Sequence, residues 1–149
     1  METREKTSGD YHREHDRLHG AHHSNCLFLR TPPVREISDT FTNEGSLITK
    51  IVFNESHQGY DGKVHGGLIS AITDSVMVRC LMGHGILSYT AELKMRYKLP
   101  VEINKETIFV TTILSSGRDR LYSLETKIYQ DNEIKITGKS RFYRYNAKA

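Results

Sequence analysis

Lys63 to Ser75 reads KVHGGLISAITDS, a histidine and two adjacent glycines ahead of an apolar run that holds one carboxylate. Amides at the start of a helix lack intrahelical acceptors and point outward at the positive end of the helix dipole. Gly66 and Gly67 therefore offer donors to an oxygen of developing negative charge, with no Cβ in the way. Tight packing of the helix on a strand accounts for a glycine pair equally well. Asp74 is the second candidate. Counted around a helix from Leu68, it falls between Ser70 and Leu81 on one side and Val78 on the other, on an apolar face and not on a solvated edge. An ionised carboxylate there is costly unless hydrogen-bonded, which is the setting of a catalytic carboxylate; a pair with an arginine such as Arg79 would place it there too.

Gly67 and Asp74 are seven residues apart, which is about 10 Å along a helix axis. A nucleophile or base and an oxyanion donor must both lie about 3 Å from the reacting group. The two residues serve one reaction only if Gly67 of one subunit meets Asp74 of another, with the helices antiparallel across a twofold axis.

The elements that position these groups read from pattern. The helix begins at the glycines, runs about five turns and closes after Met82 at Gly83-His84-Gly85. Its wheel is apolar nearly all round, so it is buried on two sides, and a second subunit is the natural cover for the side the sheet leaves. Glu36 to Phe53 alternates around Asn43-Glu44-Gly45, a hairpin. SYTAELKMRYKLP alternates strictly, with Tyr89, Ala91, Leu93, Met95, Tyr97 and Leu99 on one face and Thr90, Glu92, Lys94, Arg96 and Lys98 on the other, up to Pro100. Strands follow at Thr107–Leu114, Leu121–Gln130 and Ile134–Tyr145. A hairpin, a central helix and a four-strand meander make an α+β plan in which an antiparallel sheet wraps the helix.

HQGYDGKVHGGLISAITDS followed by YTAELKMRYKLPV resembles the PaaI-like acyl-CoA thioesterases, the phenylacetate-degradation branch of the 4-hydroxybenzoyl-CoA thioesterase superfamily, over about Cys26 to Tyr145. The resemblance rests on Gly62, His65, Gly66, Gly67 and Asp74, and on the strand from Thr90 to Pro100. It implies a hotdog fold, a dimer with a continuous sheet and commonly a dimer of dimers. It also implies an Asp74 that activates water or attacks the thioester, a Gly67 amide of the facing subunit that polarises the carbonyl, a Thr90 that helps hold the water, and a His65 that supports the loop. Some relatives carry an asparagine where this chain has Gly59, and Gln58 or His57 are the candidates to replace its contact. For the phosphates of an acyl-CoA substrate the candidates are Arg96, Arg118 and Arg120, although a solvated surface charge describes each equally. Met77 and Leu81, with Met82, are placed at a pliable acyl pocket or the dimer seam.

The remaining composition sets bounds. The chain has 149 residues and a net charge of +3, enough for one core and too weakly basic, with no basic run, for a nucleic-acid surface. Residues 1–24 are read as a histidine-rich arm or surface helix, and 25–149 as the hotdog domain. The two cysteines lack a CxxC partner and the N-terminus lacks an apolar signal segment, so a reduced, soluble, cytoplasmic protein is expected, with no membrane span. His12, His15, His19, His22, His23 and Cys26 match no standard metal motif, so neither a metal nor a cofactor is expected. A hotdog protein that binds acyl-CoA without cleaving it is the competing reading; Asp74 together with Thr90 argues against it, since a carrier needs no carboxylate facing the thioester. A hotdog dehydratase would want a histidine–carboxylate pair that this chain does not clearly offer.

Overall fold

The computed structural model describes residues 4–24, 26, 37–117 and 120–146. Thr7 opens helix α1 (Ser8–Leu18): its backbone N–H and its hydroxyl both donate to the Asp10 carboxylate at 2.8 Å, and a π-type turn, His19–His23, continues the helix. Strands β1 (Ile37–Phe41) and β2 (Leu47–Val52) form the expected hairpin, whose turn needs Gly45 at φ +87°. Helix α2 (Gly66–Gly83) follows a looped segment, then β3 (Ser88–Tyr97), β4 (Glu106–Ser116), β5 (Leu121–Gln130) and β6 (Glu133–Arg144). The six strands form one antiparallel sheet in the order β1-β2-β4-β5-β6-β3, the α+β plan expected.

The four-strand meander is corrected to three strands, β4 to β6, because β3 pairs with β6 at the far edge of the sheet. The link after β3 explains why no hairpin forms with β4. Lys98 and Leu99 still donate to the Lys135 carbonyl of β6, Val101 then accepts from the Val64 amide, and Glu102 donates its amide to Gln130. The chain is thus tied across the loop that precedes α2 before β4 begins.

One side of α2 (Ile69, Ile72, Val76 and Met77) is buried in the main core with Phe53, Phe109, Leu124 and Phe142 of the strands and their flanks. Burying each such side chain stabilises by roughly 1.5–3 kcal/mol. The back of α2 is covered in part by the chain's own α1: Leu18, Met82 and Leu87 form a second cluster, and Tyr11 stacks on Phe41 at 5.9 Å between ring centroids. Some of the cover that the sequence reading gave to a second subunit is therefore intramolecular. By length and composition α2 could cross a membrane, but more than half of it is buried, which is how a core helix passes the same test. What stays partly open along α2 is the stripe Gly67, Ala71, Asp74 and Val78, at the spacing of one helix face.

Arg79 does not pair with Asp74. Its guanidinium, almost fully buried, takes Asp39 of β1 at 2.8 and 3.3 Å and Ser75 at 2.6 Å, clamping the hairpin to the helix. Asp74 is left facing the open stripe.

Candidate active site

Strand β3 brings Thr90 to Asp74: the threonine hydroxyl donates to Asp74 Oδ1 at 2.6 Å. Strict alternation would have aimed Thr90 away from the helix, with Glu92, Lys94 and Arg96. A bulge between Thr90 and Glu92 absorbs one residue, so Thr90, opposite the buried Phe142, shares the helix side with Leu93, Met95 and Tyr97. Two residues on one strand are thereby re-aimed, and Tyr89 turns outward at 63% exposure, stacked on Tyr145.

At the start of α2, His65 caps the helix. Its Nδ1 accepts the Gly67 amide at 3.0 Å, so the donor assigned from the sequence is already engaged. Among the described residues no acceptor meets the Gly66 N–H, which makes Gly66 the outward donor at this terminus. With Nδ1 as acceptor, a neutral His65 carries its proton on Nε2. Gly59, Tyr60, Lys63, Val64, His65 and Gly66 line a cavity of about 330 Å³ in front of this turn. Gly59 lets the loop lie against the imidazole: a Cβ there would stand 3.4 Å from His65 Cα and Cδ2.

The candidates to replace an asparagine at Gly59 are engaged within the loop. Gln58 Oε1 accepts the Gly62 amide at 3.0 Å, while buried His57 accepts the Asn54 amide on Nδ1 at 2.9 Å and the His65 amide on its carbonyl. Met77 and Leu81 are sealed in the core at 0% exposure, so they do not line an open acyl pocket. Arg96 lies on the outer sheet face with Lys94, Thr137 and Lys139, opposite to Asp74 of its own chain. Arg120 sits exposed at the entry to β5, where its carbonyl accepts the Arg144 amide, at the end of the sheet that holds Thr90. Arg118 lies outside the described residues.

Two groups were missed by sequence reasoning. Tyr97 donates its hydroxyl to the Gly66 carbonyl at 2.7 Å and touches Ser70 Oγ. The signal was its place on the apolar face of the strand, since a tyrosine there carries a hydroxyl that needs a partner. Lys63 lines the cavity but is committed to Glu102 at 3.2 Å; hydrogen bonds from Lys105 and then Lys63 hold the Glu102 carboxyl down to about 2. Cys80 is no nucleophile, because burial pushes its thiol up to about 12. Among the described residues no group of three or more His, Cys, Asp or Glu side chains is arranged to hold a metal ion.

A long helix embraced by a curved antiparallel sheet, with a polar pair where its open face meets the edge strand, is the hotdog architecture. Residues 61–133 match the family model of the thioesterase superfamily. The mouse protein acyl-coenzyme A thioesterase 13 is 28% identical over 74 residues, 48% of this chain and 53% of that protein. The chain thus spans about half the length of the curated relative it matches. Among solved structures, the E. coli PaaI protein from the phenylacetic acid degradation operon superposes with a TM-score of 0.78 at 10% identity, over 95% of this chain and 98% of that one. A hypothetical thioesterase from Streptococcus pneumoniae, determined with coenzyme A, gives 0.68 at 14% identity over 76% and 90%; variants of it with an aspartate or a threonine changed to alanine share the fold. The chain thus has the hotdog fold of PaaI, and just under half of it, residues 61–133, is similar to the thioesterase superfamily.

Proposed function

We propose that this protein hydrolyses an acyl-CoA thioester to the free acid and coenzyme A. The observation that carries the reading is the Thr90–Asp74 hydrogen bond at 2.6 Å on the open stripe of α2. It holds one carboxylate oxygen and leaves the other to take a proton from water or to attack carbon. The likeness of residues 61–133 to the thioesterase superfamily and the mouse relative support the reaction class. In the streptococcal thioesterase, the aspartate and threonine changed to alanine stand as far apart in sequence as Asp74 and Thr90 do here.

In the route through water, Asp74 takes the proton, oxygen bonds to the thioester carbon, and the carbonyl electrons move to oxygen. Collapse re-forms the carbonyl and breaks the C–S bond, and the proton goes to the departing sulfur. Direct attack by Asp74 would form a mixed anhydride that water then cleaves. Either route develops an oxyanion. Its donors in our reading are the Gly66 N–H and the Nε2–H of His65, not the capped Gly67 N–H; one such donor is worth about 3 kcal/mol.

Gly66 and Asp74 are eight residues apart on α2, about 12 Å along the axis, so the complete site takes Asp74 and Thr90 from one subunit and Gly66 and His65 from its partner. The open stripe and the unpaired edge of β3 support a twofold dimer with a continuous sheet. The test is thiol release from a panel of acyl-CoAs, comparing wild type with Asp74→Asn, alongside the sedimentation mass. Hydrolysis by a dimer or higher multiple, lowered by about 10²–10⁴ in Asp74→Asn, is expected. Tight binding of CoA esters without cleavage would sink the hydrolase reading, and an active monomer would sink the shared site.

A further inference from the structure

The proposed reaction leaves a group without a role. Tyr97 ends β3, the strand that carries Thr90, and its hydroxyl lies 2.7 Å from the Gly66 carbonyl. Its ring packs over Gly66, where a Cβ would come within 3.5 Å of Tyr97 Cε1. Ser70, one turn along α2, touches the same hydroxyl, and its Oγ stands 3.3 Å from the Gly66 carbonyl. Two protons serve these three contacts: with Ser70 donating to Tyr97 and Tyr97 donating to Gly66, the two closest are made and the 3.3 Å approach of Ser70 Oγ to the Gly66 carbonyl is left without a proton. The Gly66 carbonyl belongs to the same peptide unit as the Gly67 N–H, and that N–H donates to His65 Nδ1. Hydrogen bonds in series polarise one another, and a hydrogen bond at the carbonyl end of a peptide strengthens donation at its N–H end.

We propose that Tyr97 is a positioning residue for the thioester carbonyl: through the Gly66–Gly67 peptide it locks the His65 imidazole with Nδ1 as acceptor, keeping the Nε2–H for the cavity that His65 lines. This rests on the hydrolase reading above and adds its carbonyl-side control. Tyr97 touches no reacting atom. It fixes the peptide that fixes the ring, so its effect falls on kcat, where the oxyanion forms, and not on the binding of the rest of the substrate.

The experiment joins a spectroscopic and a kinetic arm on the full chain. In protein labelled with 15N-histidine, the His65 ring nitrogens are assigned by their loss in His65→Gln and followed at a pH where the ring is neutral. Wild type should show a single tautomer, unprotonated at Nδ1, and Tyr97→Phe a mixture of the two. With an acyl-CoA that wild type cleaves, Tyr97→Phe should lower kcat about tenfold, the size of one lost hydrogen bond in the network, with KM changed less than twofold. Ser70→Ala, which leaves the ring in place, should move both readouts the same way by less. An unchanged His65 tautomer in Tyr97→Phe overturns the proposal whatever the rate does, and so does a changed tautomer with wild-type kcat. If wild type cleaved no acyl-CoA, the hydrolase reading would fall and the tautomer would still decide whether Tyr97 sets the ring.

Discussion

Among the described residues the Thr90 hydroxyl has one partner, Asp74 Oδ1 at 2.6 Å, which makes its energetic role separable by a double-mutant cycle. A hydrogen bond to a charged group is worth about 1.5–3 kcal/mol. Asp74 is only partly buried, so water can replace part of what Thr90→Ala removes, and the low end applies: about 1.5 kcal/mol, or about tenfold in kcat/KM. Asp74→Asn removes the base or nucleophile outright and should cost about 10²–10⁴. The two losses should not add. If Thr90 works only by aiming the Asp74 carboxylate, nothing remains for it to aim in Asp74→Asn, and the double variant should match Asp74→Asn within about twofold. The assay is initial-rate thiol release at substrate well below KM, with thermal melts to show that each variant is folded. A further tenfold loss in the double variant would refute the argument, because Thr90 would then be contacting water or substrate on its own account.

Two other perturbations test how the site is held. Asp39→Ala leaves the buried Arg79 charge with Ser75 as its remaining partner among the described residues, and breaking such a pair costs about 3–5 kcal/mol; urea denaturation should show about 3 kcal/mol, since Asp39 itself is partly exposed, and a loss under about 1 kcal/mol would contradict the clamp. Burial, as the main cause, holds the His19, His23 and His84 imidazoles below the usual 6.5. The unfolded chain then binds more protons than the folded one in the window beneath 6.5, so the stability these rings allow is complete above it and is lost as the pH falls through it. Thermal midpoints should fall from pH 7.5 to 5, and the fall should shrink in a His19→Gln/His23→Gln variant; equal slopes would refute the assignment.

Periodicity located α2 and all six strands, because each buries a face and so carries a pattern. What it could not carry was pairing. Nothing in YTAELKMRY names β6 as its neighbour, and nothing marks Ala91 as the residue taken up by a bulge, since the bulge is set by register against Arg141 and Phe142, about fifty residues on. The conflict was nonetheless visible, because alternation put Thr90 on the face opposite Leu93 and Met95 while the family resemblance had it help hold the attacking water. The helix start failed for a different reason. Histidine is not among the residues that commonly cap a helix with a side chain, so Gly67 read as free when His65 Nδ1 holds it. Arg79 and Asp39 are likewise joined across forty residues, with no local pattern to pair them.

Strand β3 carries Thr90 against Asp74 at one end and Tyr97 against the start of α2 at the other, and among the described residues it is an edge strand of the sheet. Antiparallel pairing of that edge with its own copy would set the Thr90 end of one chain beside the Tyr97 end of the other, and so bring Asp74 toward the partner's helix start without moving either helix. The twofold would then cross β3 near its middle, at Lys94, which would stand opposite its own copy. Residues opposed in an antiparallel ladder have Cα atoms about 4.5–5.5 Å apart, within disulfide reach. Lys94→Cys should therefore give a covalent dimer on mild oxidation, seen on non-reducing gels, and the cross-linked protein should keep its hydrolase activity. Ser38→Cys on β1, the opposite edge of the sheet, should stay monomeric on the same gel. Cross-linking through Ser38→Cys and not through Lys94→Cys would put the seam at the wrong edge, and the Asp74 of one chain could not then reach the helix start of the other.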